Sequence, residues 1–297
     1  MHVLVTGSNG QVGRELMDRG TRYGMTMEGV DIEDLDISDP VAVLRKVRDM
    51  NPSLVVNAAA YTAVDQAEKD MDTVYAVNRD GPCNLAEACA EKGIPLIHIS
   101  TDYVYSGTKK GAYFEDDPMA PASVYAKSKA EGDREVAARL KEYIILRTAW
   151  LYSIYGHNFV KTMLRLGHEK ETLRVVDDQY GCPTDAADLA EAILLIARKI
   201  QESGPVPWGT YHYCGKGRTS WHGFAKKIFE ISENYDSFMI KSIQGIPTRE
   251  YPMPAIRPAN SELNCSKIEN RLGVVPRPWE DSLSGMLKRL YALRAME

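Results

Sequence analysis

Tyr125 and Lys129 stand four residues apart, one turn along the same helical face. A free phenol titrates near ~10 and keeps its proton at neutral pH. An ammonium beside it favours the phenolate, which makes the phenol a more willing proton donor to a developing alkoxide. A tyrosine and lysine at this spacing are common as a surface pair, so position along the chain decides their meaning. Ser100-Thr101-Asp102 follows an apolar run, Pro95 to Ile99. Ligands bind at the carboxyl ends of strands in open α/β sheets, where Thr101 can donate to a carbonyl oxygen beside Tyr125.

A second constellation lies at the N-terminus. Thr6-Gly7-Ser8-Asn9-Gly10-Gln11-Val12-Gly13 places three glycines at intervals of three, directly after Val3-Leu4-Val5 and at the start of an amphipathic segment. Glycines in that context permit a tight turn and bring a pyrophosphate close to helix N-terminal N–H groups. Asp31 lies 18 residues after Gly13, at the expected end of a second strand, where a carboxylate accepts hydrogen bonds from a ribose diol. The two features together indicate dinucleotide binding. Asp31 disfavours a 2′-phosphate while Arg14 would offset that repulsion, so the choice between NADH and NADPH stays open.

The elements that must hold these residues follow from the pattern. Apolar runs at Val3 to Val5, Leu54 to Val56, Pro95 to Ile99 and Tyr143 to Leu146, with another ending near Asp31, alternate with helical segments. One helix carries Val12, Leu16 and Met17, one opens at Asp39-Pro40, and one runs through Leu85 to Ala88. This predicts an α/β fold, a Rossmann-like doubly wound parallel sheet covered on both faces, with a smaller C-terminal substrate lobe. Residues 1–150 form the dinucleotide-binding domain, joined by part of 175–215, and 151–297 are mainly substrate lobe. In that half prolines are frequent, and helices are expected over Asp185 to Ile200, Ser220 to Glu230 and Trp279 to Arg294. Trp221, Trp279, Tyr211, Tyr213 and His98 read as core residues rather than ligand contacts.

Composition narrows the class. With 297 residues, 44% hydrophobic and 26% charged, the chain has ample core and is not disordered. A net charge of −5 argues against a nucleic-acid partner. No apolar run approaches the ~18 residues of a membrane span, and the N-terminus lacks a signal peptide's basic region. Five scattered cysteines, an odd number with no CxxC, argue against a zinc site or disulfide framework and for a reducing cytoplasm.

In this order the glycine turn, Thr101, Tyr125 and Lys129 resemble the extended short-chain dehydrogenase/reductases. Longer strings narrow the likeness: Asn57 to Glu68, Ser100 to Tyr105, Arg147 to Tyr152, Asn158 to Met163, Asp178 to Thr184, and Arg257-Pro258 with Ser261. These resemble the dTDP-4-dehydrorhamnose reductase family from Met1 nearly to the C-terminal helix. Departures are small: Ala126 stands where the family usually has glycine, and Tyr105 where it often has phenylalanine.

The resemblance implies an NAD(P)H-dependent 4-ketoreductase acting on a nucleotide sugar. Gly7, Gly10, Gln11, Val12 and Gly13 would line the pyrophosphate, Asp31 the adenosine ribose, Asp36 and Ile37 the adenine edge, and Ala60, Tyr61 and Thr62 the nicotinamide half. Tyr125 would donate the proton and Lys129 bridge to the nicotinamide ribose. Thr101, Asp102, Tyr103 and Trp150 would contact the sugar, and Arg257 the diphosphate. Some members of the family form homodimers through acidic residues and a magnesium ion (Mg2+). Glu15 matches one such position and the remaining ligands find no match.

Three other readings compete. Nucleotide-sugar 4,6-dehydratases carry an Asp-Glu pair after the threonine, whereas Asp102 is followed here by Tyr103. Epimerases hold NAD tightly while a keto sugar turns. The β subunit of methionine adenosyltransferase resembles the same family as a regulatory module. Retention of Thr101, Tyr125 and Lys129 together favours an enzyme.

Overall fold

Six parallel strands make the central sheet of the computed structural model, which describes residues 1–202 and 204–295. Five come from the first half of the chain: β1 (His2–Thr6), β2 (Thr26–Val30), β3 (Leu54–Asn57), β4 (Leu96–Thr101) and β5 (Tyr143–Thr148). The sixth, Gly209–His212, lies beside β5, giving the order Gly209–His212, β5, β4, β3, β1, β2. β1 is flanked by β2 on one side and β3 on the other, so the chain reverses direction across the sheet there. Such a switch point opens a crevice at the strands' carboxyl ends. Continuous burial of β3 on both faces explains why its sequence is apolar without alternation.

Helices cover both faces. α1 (Gln11–Arg19) packs with α7 (Ala186–Gln201) over one face, around Val5, Leu16, Leu189 and Ile193. α2 (Pro40–Met50), α3 (Met71–Tyr75), α4 (Gly81–Lys92) and α5 (Val124–Arg139) lie on the other side, over a core including Leu4, Val47, Leu85 and Val136. Asp39 caps α2, accepting from the N–H groups of Val41 at 2.9 Å and Ala42 at 3.1 Å. A cap of this kind contributes ~1 kcal/mol.

The second lobe is built from α6 (Phe159–Glu169), α8 (Trp221–Ser232) and α10 (Trp279–Arg294), with the short α9 (Ser266–Leu272) leading into it. Its core holds Tyr152, Phe224, Ile228, Leu283 and Leu287. A parallel pair, Thr172–Val176 with Ser242–Ile246, edges it. No helix among the described residues is long and apolar enough to cross a membrane.

Candidate active site

The glycine turn needs its glycines. Gly7 has φ +69°, and a Cβ there would sit 2.5 Å from the backbone nitrogen of Ala59. A Cβ on Gly13 would lie 2.2 Å from the carbonyl oxygen of Gly7. The backbone of β1's exit therefore folds against itself and against the loop after β3, leaving α1's first N–H groups open beyond Gly10. This cradle fits a dinucleotide pyrophosphate. Gln11 accepts a hydrogen bond from Asn158 Nδ2 at 3.2 Å, which ties the turn to the second lobe, and Val12 is buried in the core.

Asp31 directly follows β2 and closes the turn: its carboxylate accepts from Asn9 N–H at 2.8 Å and Ile32 N–H at 2.9 Å. Arg14 lies over the Tyr155 ring, 5.5 Å from its centroid. Asp36 is exposed and accepts from Ser38, while the Ile37 side chain is buried against Gly81. Only the backbone at Ile37 and its exposed neighbours remain for an adenine edge. Ala60 and Tyr61 are half-buried and Thr62 is exposed, beside the turn. Tyr61 donates its hydroxyl to Asp70 at 2.7 Å.

Thr101, Asp102, Tyr103 and Tyr125 come together at the carboxyl end of β4. Ser123 caps α5 by accepting from Ala126 N–H at 3.2 Å, which sets the first turn carrying Tyr125. The Tyr103 ring meets the Tyr125 ring edge-on, with centroids 5.8 Å apart. Thr101 donates to Asp102 Oδ1 at 3.1 Å and accepts from Tyr103 N–H at 3.2 Å, so it caps a turn while facing the site. Asp102 Oδ2 is buried without a hydrogen-bond partner. Burial pushes the Asp102 carboxyl up to about 7, against the opposing pull of hydrogen bonds from Ser261 and Thr101.

The electrostatics of Tyr125 differ from the sequence expectation. Burial holds its phenol above the ordinary value, the neighbouring Thr101 hydroxyl opposes this, and the Asp102 charge adds to the rise. Lys129, 2% exposed, donates to the Ile99 carbonyl at 2.8 Å and lies 3.3 Å from His98 Nε2. Burial pulls it down to about 8, with Asp133 opposing. The enclosure of the phenol outweighs the lysine because the ammonium is directed at β4. His98 is a buried core residue as expected, but one in contact with the lysine.

Arg257 reaches the site from the second lobe. Its guanidinium pairs with Asp65 at 2.6 Å and donates to the Tyr103 hydroxyl at 3.3 Å. It also lines a cavity of about 980 Å³ with Phe159, Gln179, Trp221 and Arg249. Trp150 has φ +49°, its ring stacks on Trp221 with centroids 3.5 Å apart, and Gly181 approaches it closely. One face is thus used by a neighbouring tryptophan, and Trp221, expected in the core, belongs to the cavity wall. Trp279 is buried as expected.

Two residues escaped the sequence reading. A π-helical turn, Ala76–Asp80, carries buried Asn78, whose Nδ2 donates to Tyr61 O and to Ser128 Oγ, both at 3.1 Å. Its Oδ1 accepts from Tyr61 N–H at 2.9 Å. Asn78 therefore pins the Tyr61 loop to α5. Gly132 allows this, because a Cβ there would lie 2.2 Å from Asn78 O. Neither π-turns nor helical glycines announce a close approach in sequence.

Glu15 does not fit a metal. It is fully buried, paired with Arg19 at 3.1 Å and Arg289 at 3.2 Å, and accepts from Ser153 at 3.3 Å. Two guanidinium groups already neutralise it, and no group of three or more His, Cys, Asp or Glu side chains among the described residues would hold an ion. Magnesium at Glu15 therefore finds no support among the described residues.

A glycine cradle after the first strand of a doubly wound sheet, with Thr101, Tyr125 and Lys129 gathered beyond the fourth, defines an oxidoreductase of the extended short-chain dehydrogenase/reductase class. The comparisons narrow this. The family model of the RmlD substrate binding domain matches residues 1–292, and the chain belongs to this dTDP-4-dehydrorhamnose reductase family. A dTDP-4-dehydrorhamnose reductase of Sinorhizobium fredii is 44% identical over 95% of each chain. The structure of one from Clostridium acetobutylicum is 39% identical, with a TM-score of 0.91 over 98% of this chain and 99% of that one. Another from Bacillus anthracis, in complex with NADP, is 37% identical with a TM-score of 0.89 over 97% and 99%.

Proposed function

We propose that this chain reduces the C4 keto group of dTDP-4-dehydrorhamnose (dTDP-4-dehydro-6-deoxy-L-mannose), forming dTDP-L-rhamnose at the expense of NADPH or NADH. The observation that carries the reading is the gathering of Thr101, Tyr125 and Lys129 at the sheet's carboxyl edge in a chain matched to this family over its length. When bound, the reduced nicotinamide supplies the hydride that adds to C4. Gly7, Gly10, Gly13 and Asp31 hold that cofactor's pyrophosphate and adenosine ribose, and Lys129 its nicotinamide ribose.

Tyr125 gives its proton to the C4 oxygen as negative charge develops there. Burial keeps the phenol protonated until that moment, when the growing charge draws the proton across. The Thr101 hydroxyl, given to Asp102 here, turns to donate to the same oxygen. Asp102, raised to about 7 by burial, is only partly charged at neutral pH and so faces the sugar without placing a full charge beside the alkoxide. Tyr103 fills the position where a dehydratase needs a second carboxyl, and its hydroxyl is committed to Arg257. The cavity bounded by Phe159, Trp221, Gln179 and Arg257 receives the nucleotide diphosphate, so residues 151–297 act mainly as substrate lobe. Five free cysteines support a reducing, cytoplasmic setting.

The test is NADPH and NADH oxidation across a panel of nucleotide-linked 4-keto-6-deoxy sugars, with a parallel incubation of dTDP-glucose and NAD⁺. The dTDP-linked keto sugar should be consumed and dTDP-glucose left untouched. A 4-keto-6-deoxy product from dTDP-glucose, without reduction of the keto sugar, would establish a dehydratase instead.

A further inference from the structure

Beneath Lys129 runs a buried chain of polar groups whose hydrogens can be placed by accounting for donors. Asn57, at the end of β3, accepts at Oδ1 from the Ala59 N–H at 3.1 Å and from the Thr6 hydroxyl at 2.7 Å. A backbone N–H only donates, so this atom is the oxygen and the other is the amide nitrogen. That nitrogen, Nδ2, lies 3.0 Å from His98 Nδ1, on the register partner of Asn57 in β4. Nδ2 also only donates, so Nδ1 must accept. A neutral imidazole that accepts at Nδ1 carries its proton on Nε2.

His98 Nε2 lies 3.3 Å from Lys129 Nζ. An ammonium has three donors and no acceptor, so the imidazole meets it donor to donor. The lysine is left with the Ile99 carbonyl as its acceptor in this pocket. The remaining charged and titratable groups around it are Tyr125 one turn earlier on α5 and Asp133 one turn later. Asp133 Oδ2 is taken by Arg147 Nε of β5 at 2.9 Å. Its Oδ1 is buried without a partner and lies 3.9 Å from His98 Nε2. The histidine proton is therefore drawn toward Asp133 rather than away from it, and this reinforces the same tautomer.

We propose that His98, locked by Asn57 as its Nε2–H tautomer, is a positioning residue for Lys129 that denies the ammonium a second acceptor within the protein. The inference rests on the reading above that Lys129 works at the cofactor ribose. A lysine so under-provided turns toward ribose hydroxyls at little cost, because it leaves one carbonyl and not a saturated cage. It also gives up its proton more readily than a surface lysine, in accord with the downward shift that burial produces. The ammonium is the working form, so turnover should fall on the alkaline side as Lys129 loses its proton. His98 sets where that limb lies.

The direct measurement needs no variant. Nitrogen-15 NMR of the histidine-labelled full chain, its His98 signal assigned by His98→Gln, reports which ring nitrogen bears the proton. Between about pH 5 and about pH 8, where an ordinary histidine loses its charge, His98 should stay neutral with the proton on Nε2. A proton on Nδ1, or a charged ring, would overturn the proposal. Asn57→Asp supplies an acceptor where Asn57 donates, so it should move the ring proton to Nδ1 and turn a lone pair toward Lys129. The alkaline limb of kcat should then rise by about one pH unit, the worth of one hydrogen bond to a charged group. NADPH affinity should fall by up to about tenfold, because the lysine must then leave two acceptors to reach the ribose. A ring that has switched tautomer with an unmoved limb would also overturn the proposal. Lys129→Met separates the two levels: wild-type turnover in that variant sinks the functional reading of the lysine, whereas the NMR result tests the tautomer alone.

Discussion

At the scale of single residues, the site fixes Tyr125 more firmly in its ordinary protonation and sets Asp102 against its own. Tyr125 is kept a phenol by enclosure, so Tyr125→Phe should lower kcat by ~10²–10⁴, the usual worth of a positioned general acid. Cofactor affinity, read by fluorescence titration, should hardly change, and turnover near wild type would remove Tyr125 from the proton-donor role. Asp102 carries a testable pH signature. Its folded value near 7 stands above that of a free carboxyl, so the native state binds the extra proton. Its contribution to stability is complete below the unfolded value and is lost as pH rises from about 4 to about 7. Asp102→Asn removes that loss and gives the orphaned Oδ2 position a donor. The variant should melt above wild type at about pH 8, with the gap narrowing toward about pH 4. Equal melting shifts at both ends would show that the carboxyl is not held protonated by the fold.

Elements decide how those residues meet. The strands carrying Thr101 and Asn57 and the cap of α2 at Asp39 were legible because apolar runs, caps and glycine turns are local signals. Thr101, Tyr125 and Lys129 could be singled out because their order and spacing are local too. The direction of the lysine was not legible: it depends on His98 and Ile99, about 30 residues earlier in the chain, through a register only the sheet defines. The Trp150–Trp221 stack likewise joins two segments 71 residues apart by sequence number, and no periodicity in either predicts it. The same limit hid the contact between the π-helical turn and α5. Gly132→Ala should force Asn78 away from α5 and loosen the Tyr61 loop. A destabilisation of ~1–3 kcal/mol in urea unfolding is expected from overpacking at such a contact. Cofactor affinity should fall with it, and an unchanged affinity would show that the loop's position does not depend on this approach.

For the molecule as a whole, Glu15 is a joint between lobes. Its carboxylate lies on α1, one arginine partner on the same helix, the other on α10, and Ser153 on the segment between β5 and α6. Glu15→Ala strands Arg289 and empties a buried pairing site, which should cost ~3–5 kcal/mol of stability. Chelation by EDTA should leave the melting temperature of the wild type unchanged, and a fall on chelation would restore a metal to this position. The strand Gly209–His212 has a different kind of consequence. It completes the first sheet only after the chain has travelled through α6 and α7, and α7 packs with α1 over one face of that sheet. During synthesis, the ribosome must therefore deliver about 60 residues beyond β5 before that sheet has its last edge. Until then β5 presents an open row of peptide groups, and Leu16 and Ile144 lie under no lid. The nascent chain therefore passes through a stage at which most of its site residues exist and its sheet still has an unpaired edge, the stage most open to mispairing with another chain.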